Sequence, residues 1–96
     1  MTGFNFEWNE NKAQLNLQKH GVSFDEAVSV FTDPLSITIS DVEHSNNEPR
    51  YIDIGTSNEN RLLVVIYTER DQNIRLISCR PATSNERKSY ESSQSR

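Results

Sequence analysis

Residues 61–80 constrain the fold more than any other stretch. Leu62 to Thr68 is an almost unbroken run of aliphatic, β-branched and aromatic side chains. A run of that kind reads as a strand buried on both faces rather than one with a wet side. The residues after it, Ile74 to Arg80, read as its hairpin partner. The turn is expected at Asp71-Gln-Asn73, with Asn73 in the left-handed conformation. That register sets Glu69 opposite Arg75 and Tyr67 opposite Ile77, and puts Arg70, Leu76, Ser78 and Arg80 on the other face. A doubly buried strand needs cover on both sides, which the rest of the chain must supply. Arginines 61, 70, 75 and 80 lie in the same stretch, so the expected core and the expected chemistry share one hairpin.

The covering elements are legible in order. Phe4 to Trp8 alternates as a short strand with Phe4, Phe6 and Trp8 on one face. Asn9 caps a helix from Glu10 to His20, with Ala13 and Leu17 at helical spacing, and Gly21 closes it. Ser23-x-x-Glu26 is a capping box for a second helix, whose stripe is Phe24, Ala27, Val28 and Phe31. Asp33-Pro34 ends that helix. Strands follow at 36–41 and 50–55, separated by a polar loop from Val42 to Pro49. Thr83-x-x-Glu86 opens a short polar helix to about Glu91. The order β-α-α-β-β-β-β-α gives an α+β domain: a mostly antiparallel four- to five-stranded sheet, two N-terminal helices and a short C-terminal helix, with the helices on one face. One domain over 1–91 and a flexible tail over 92–96 are expected.

Charge and composition narrow the function. The net charge of −4 argues against a generally basic nucleic-acid binder. Its distribution is uneven: residues 1–48 hold eight acids and two bases, residues 49–96 six acids and eight bases. Seven of the ten bases are arginine, the side chain suited to bidentate phosphate contact. The single cysteine, Cys79, cannot form an internal disulfide and reads as an inert core thiol. No apolar run approaches the about 20 residues a membrane helix needs, and the N-terminus has no signal-peptide pattern, so a cytoplasmic protein without membrane contact is expected. Zinc spacing, a phosphate-cradling glycine loop and a serine-hydrolase elbow are all missing.

What remains is a set of Arg, Lys, Glu, Tyr and His side chains. RNA can be cut by such a set without a metal, because its 2′-hydroxyl is an internal nucleophile. Cleavage then needs a base, cations for the phosphorane and an acid for the leaving 5′-oxygen. Glu69 or a histidine fits the base, Arg70 and Arg80 the cations, and Tyr67 or a lysine the acid or a stacking platform.

Longer strings carry a resemblance. Phe6-Glu-Trp-Asn-Glu-Asn-Lys-Ala, Asn16-x-x-Lys-His-Gly-Val-Ser-Phe24 and Val30-Phe-x-Asp-Pro34 resemble the BrnT family. So do Asp41-x-x-His-Ser45, Glu48-x-Arg50, Ile54-Gly-x-Ser57, Tyr67-Thr-Glu-Arg70, Ile74-Arg-x-Ile-Ser78 and Glu86-Arg-x-x-x-Tyr90. The likeness runs from about Phe6 to Tyr90. It implies a ribonuclease toxin of a type II toxin–antitoxin pair with a RelE-like fold, cleaving RNA and so slowing translation. It implies no cofactor and no metal. The implied partners are RNA, a BrnA-like antitoxin that blocks the toxin in a hetero-oligomer, and operator DNA only through that antitoxin. Carried onto these motifs, Glu69, Arg70 and Arg80 are the expected catalytic residues, and Lys12, Lys19, His20, Arg61 and Tyr67 the expected substrate contacts. Cys79 and Pro81 depart from the family pattern of a small and a basic residue, and Pro81 lowers the positive field beside Arg80. The competing reading is a toxin fold without cleavage that serves only as an antitoxin-binding co-repressor.

Overall fold

The computed structural model describes residues 5–44 and 48–94. Phe4 of the expected first strand, Ser45 of the loop motif and the last two residues of the expected tail lie outside them. Five strands form one sheet: β1 (Asn5–Glu7), β2 (Ile37–Ser40), β3 (Arg50–Thr56), β4 (Leu62–Arg70) and β5 (Asn73–Pro81). Their spatial order is β1-β5-β4-β3-β2. Neighbours β2 to β5 pair antiparallel, while β1 pairs parallel with β5, so the sheet is mixed at one edge.

The helices are α1 (Glu10–His20), α2 (Phe24–Ser29) and α3 (Ser84–Ser92), and a 3₁₀ turn (Val30–Thr32) extends α2. Their ends follow from local chemistry. The Asn9 side chain accepts from the Lys12 amide at 3.0 Å, Ser23 from Glu26 at 3.0 Å and Thr83 from Glu86 at 3.2 Å. Gly21 takes φ 71°, and its N–H donates to the Leu17 carbonyl at 2.9 Å. That left-handed position is open to glycine at no steric cost.

β4 is buried along most of its length, as its sequence requires. Leu63, Val65 and Tyr67 meet Leu76 and Cys79 of β5, and Val22, Phe24, Ala27 and Val30 of the helical layer close over them. On the opposite face Leu62 and Val64 pack with Ile54, beneath Ala82 and Tyr90. The C-terminal helix α3 therefore covers the second face, not the one shared by α1 and α2. The chain reaches it by leaving β5 at Pro81, where the Ala82 N–H donates to the Leu62 carbonyl at 3.0 Å. Tyr90 then donates its hydroxyl to Asp33 Oδ2 at 2.6 Å.

The hairpin differs from expectation in one respect with wide effects. Its loop has two residues, Asp71 and Gln72, both at positive φ (49° and 74°), and Asn73 belongs to β5. Two left-handed residues give the tight turn that matches strand twist. Glu69 therefore faces Ile74 and Tyr67 faces Leu76. A bulge between Ile66 and Tyr67 absorbs the extra residue, Ile77, and beyond it Ile66 pairs with Ser78 as expected. Leu76 consequently joins the core beside Tyr67.

In α1 the inward line is Ala13 and Asn16; Leu15 and Leu17 are exposed. Among the described residues no helix is long and apolar enough to cross a membrane.

Candidate nucleic-acid interface

Strand alternation divides the hairpin's charges between the two faces. Arg75 pairs with Thr68, and Thr68 pairs with Arg50 on the other side, so these three share one rung of the second face. Arg70, two residues after Thr68, and Arg80, which pairs with Val64 beyond the bulge at Ile77, fall on the same face. Glu69, paired with the core residue Ile74, projects from the first face. The expected convergence of Glu69 with Arg70 and Arg80 is therefore not formed. The physical reason is the pleat: neighbours such as Glu69 and Arg70 point to opposite sides of a sheet.

Three of the face's arginines are held by carboxylates. Arg70 donates to Glu48 at 2.5 and 3.1 Å, and Arg75 to Glu7 at 3.0 Å. Arg80 makes a bidentate fork onto Glu86 at 2.8 and 2.7 Å. The Arg80 guanidinium holds the Glu86 carboxyl down to about 2. Glu86 also accepts from the Thr83 amide at 2.8 Å, so one carboxylate both caps α3 and holds Arg80.

A second basic feature lies around the β5 edge. β1 pairs with β5 only over Asn73–Arg75, which leaves the Cys79 backbone for another partner. Asn16 of α1 supplies it. Its amide nitrogen donates to the carbonyls of Cys79 at 2.8 Å and Val22 at 3.0 Å, and its oxygen accepts from the Cys79 N–H at 3.0 Å. This buried amide seats α1 along the open edge. The groove it creates, about 200 Å³, is lined by Lys12, Lys19 and His20 from α1 and by Ile77 and Ser78 at the bulge. Among the described residues no carboxylate lines it. Ser78, at the wall of this groove, pairs with Ile66 on the arginine-bearing face and lies two residues before Arg80 along β5.

Two expected substrate contacts lie elsewhere. Tyr67 is 5% exposed. Its hydroxyl donates to Asp53 Oδ1 at 3.0 Å, and its ring sits between Phe31 and Tyr51 at 5.0 and 5.6 Å. Burial and the Asp53 charge push its phenol up, away from proton transfer. Arg61 forms an ion pair with Glu26 and donates to the Gly21 carbonyl at 3.1 Å, tying the β3–β4 turn to both N-terminal helices. It precedes β4 while Arg70 ends it, so the two stand roughly 30 Å apart at strand rise. They do not belong to one compact site. Cys79 is buried and its thiol is pushed up to about 12 by burial, as expected of a core cysteine.

Three contributors escaped the sequence reading. Asn16 left a signal, a polar residue one turn from Ala13 on the inward line. Glu86 was visible as the capping-box residue, but not as the partner of Arg80. Asp53 is buried beneath the aromatic cluster, with its carboxyl raised by burial. Among the described residues no group of three His, Cys, Asp or Glu side chains is placed to hold a metal ion.

The fold is similar to that in the 1.1 Å crystal structure of the Brucella abortus ribonuclease toxin BrnT. The TM-score is 0.65 at 23% sequence identity, over 86% of this chain and all of that one. No curated protein matches the sequence. Residues 8–86 match the family model of BrnT, the ribonuclease toxin of type II toxin–antitoxin systems. That span takes in α1, the arginine-bearing hairpin and Glu86, and on that ground the chain belongs to the BrnT family of ribonuclease toxins.

Proposed function

We propose that this toxin cuts RNA without a metal ion, in a track running from the α1–β5 groove onto the sheet face that carries Arg80 and Arg75. One observation carries the reading: Lys12, Lys19 and His20 are gathered in a groove with no carboxylate among its described lining residues, and its wall residue Ser78 lies two residues before Arg80 on β5. The lysines meet the RNA backbone as point charges, and Arg80 takes the scissile phosphate as a planar fork. The RNA 2′-hydroxyl attacks that phosphate, the P–O5′ bond breaks, and a 2′,3′-cyclic phosphate is left. Charge on the phosphorane is met by guanidinium and ammonium groups. His20 is the group in the groove suited to moving the proton. Glu69 stands on the other face and enters only as a control.

The fold relation to RelE-like ribonucleases, a BrnA-like antitoxin as neutralising partner, and operator binding only through that antitoxin belong to the same proposal. The test incubates purified protein with a defined RNA. Fragments ending in a cyclic phosphate are expected from the parent and from Glu69→Ala. Arg80→Ala, His20→Ala and the double variant Lys12→Ala/Lys19→Ala should each lose most of the activity while staying folded. RNA affinity should fall steeply with salt, as phosphate contacts dictate. Full cleavage by those three variants refutes the site. An intact fold that yields no fragments favours the co-repressor reading, in which the carboxylates on Arg70, Arg75 and Arg80 keep phosphate out.

A further inference from the structure

The edge strand β2 is built to accept another strand. Its sequence, Ile-Thr-Ile-Ser, contains no charge and no proline, the usual protections of a sheet edge. The opposite edge is guarded: β1 has only three residues, and its Glu7 is paired with Arg75. Ladder geometry identifies the atoms on offer. The Asp41 N–H donates to the Arg50 carbonyl at 2.8 Å, and the pairs Ile39–Ile52 and Ile37–Ile54 follow at two-residue steps. In an antiparallel ladder the intervening residues turn their N–H and C=O groups the other way. Thr38 and Ser40 therefore direct backbone donors and acceptors to the open side. Ile39 is 46% exposed and Val42, just past the strand, 77% exposed. The strand runs into Asp41 and Glu43, within a first half that carries net −6 from eight acids and two bases.

We propose that β2 is where the antitoxin docks, by laying an extended segment antiparallel along the strand. This rests on the reading of the chain as a toxin with a protein antitoxin. The segment has alternating apolar side chains that cover Ile39, with Lys or Arg beyond them to meet Glu43. Backbone bonds to Thr38 and Ser40 supply affinity, and the alternate side chains supply register. A second copy of this chain fits less well, since it brings another −4 and the same acidic end.

The probe is the cognate antitoxin, co-expressed with this chain and purified as a complex. Amide exchange at Thr38 and Ser40 should slow at least about tenfold on binding. Ser40→Pro removes only an outward N–H, which an edge strand tolerates, and Ile39→Lys removes the exposed apolar contact. Each should weaken binding about tenfold, matching the loss of a bond or contact worth near 1.4 kcal/mol, and leave the melting temperature and RNA cleavage unchanged. Parental affinity in both variants, or unchanged exchange at both amides in the complex, overturns the proposal. Protection of these amides in a concentration-dependent dimer of the chain alone also overturns it. A chain that protects them against its partner but never cuts RNA leaves this surface standing and removes the ribonuclease site instead.

Discussion

Replacing Asn16 with alanine tests how α1 is held to the sheet. Asn16 is 6% exposed and makes three hydrogen bonds, two to Cys79 and one to Val22. Its loss strands one buried N–H and two carbonyls. Each unsatisfied buried group costs about 1–3 kcal/mol, and water entering the vacated volume recovers part of that, so the expected loss is about 3 kcal/mol. Against a total stability of about 5–15 kcal/mol, this is a large share. For a domain of this size it corresponds to a fall of about 12–24 °C in melting temperature. The assay is urea and thermal unfolding followed by circular dichroism. Leu17→Ala on the same helix is the control: Leu17 is 48% exposed, so its loss should stay near about 0.5 kcal/mol. Asn16→Asp should be worse than alanine at neutral pH, since it faces two carbonyls with a carboxylate, and should recover partly in acid when it can donate. A loss under about 1 kcal/mol for Asn16→Ala, or a larger one for Leu17→Ala, would refute the seating argument.

Gly55→Ala should cost about 1–3 kcal/mol in chemical denaturation, because its new methyl would sit 2.9 Å from both Ser36 Cβ and Val30 Cγ1. Glu86→Gln keeps a residue able to close the capping box but releases Arg80 from a full negative charge. RNA affinity measured by fluorescence anisotropy should rise; a fall would show that Glu86 positions Arg80 rather than competing with phosphate. The same variant should change acid unfolding. The Arg80 guanidinium depresses the Glu86 carboxyl from 4.5 to about 2, so its contribution is present above 4.5 and lost as pH falls toward 2, a step that Glu86→Gln should lack. Asp53 has the opposite sign: burial raises its carboxyl above 3.8, so the folded state binds the proton more tightly and stability declines as pH rises through that window. Asp53→Asn should remove this decline in unfolding measured across pH, and an unchanged slope would refute it.

Sequence by itself determined the elements and their ends, because those depend on neighbours along the chain. Asn9, Ser23 and Thr83 announce the three helices through their own amide partners, and Gly21 ends the first. The run Leu62 to Tyr67 demanded cover on both faces and received it. Motifs spread over residues 8–86 carried the family. Only the tertiary structure decided which charges meet. Two positive-φ residues at Asp71 and Gln72 shortened the loop, and the bulge at Ile77 restored the register farther along. The shortened loop moved Arg75 onto the face of Arg70 and Arg80 and Leu76 into the core, while the pleat of β4 alone kept Glu69 on the other face. Nor could spacing show that Asn16 completes the β5 edge 63 residues away, or that Glu86 reaches back to Arg80. A cap or a turn is set by contacts a few residues apart; a site on a sheet is set by which strands lie side by side and by the parity of their pairing, and one residue of slip reverses that parity.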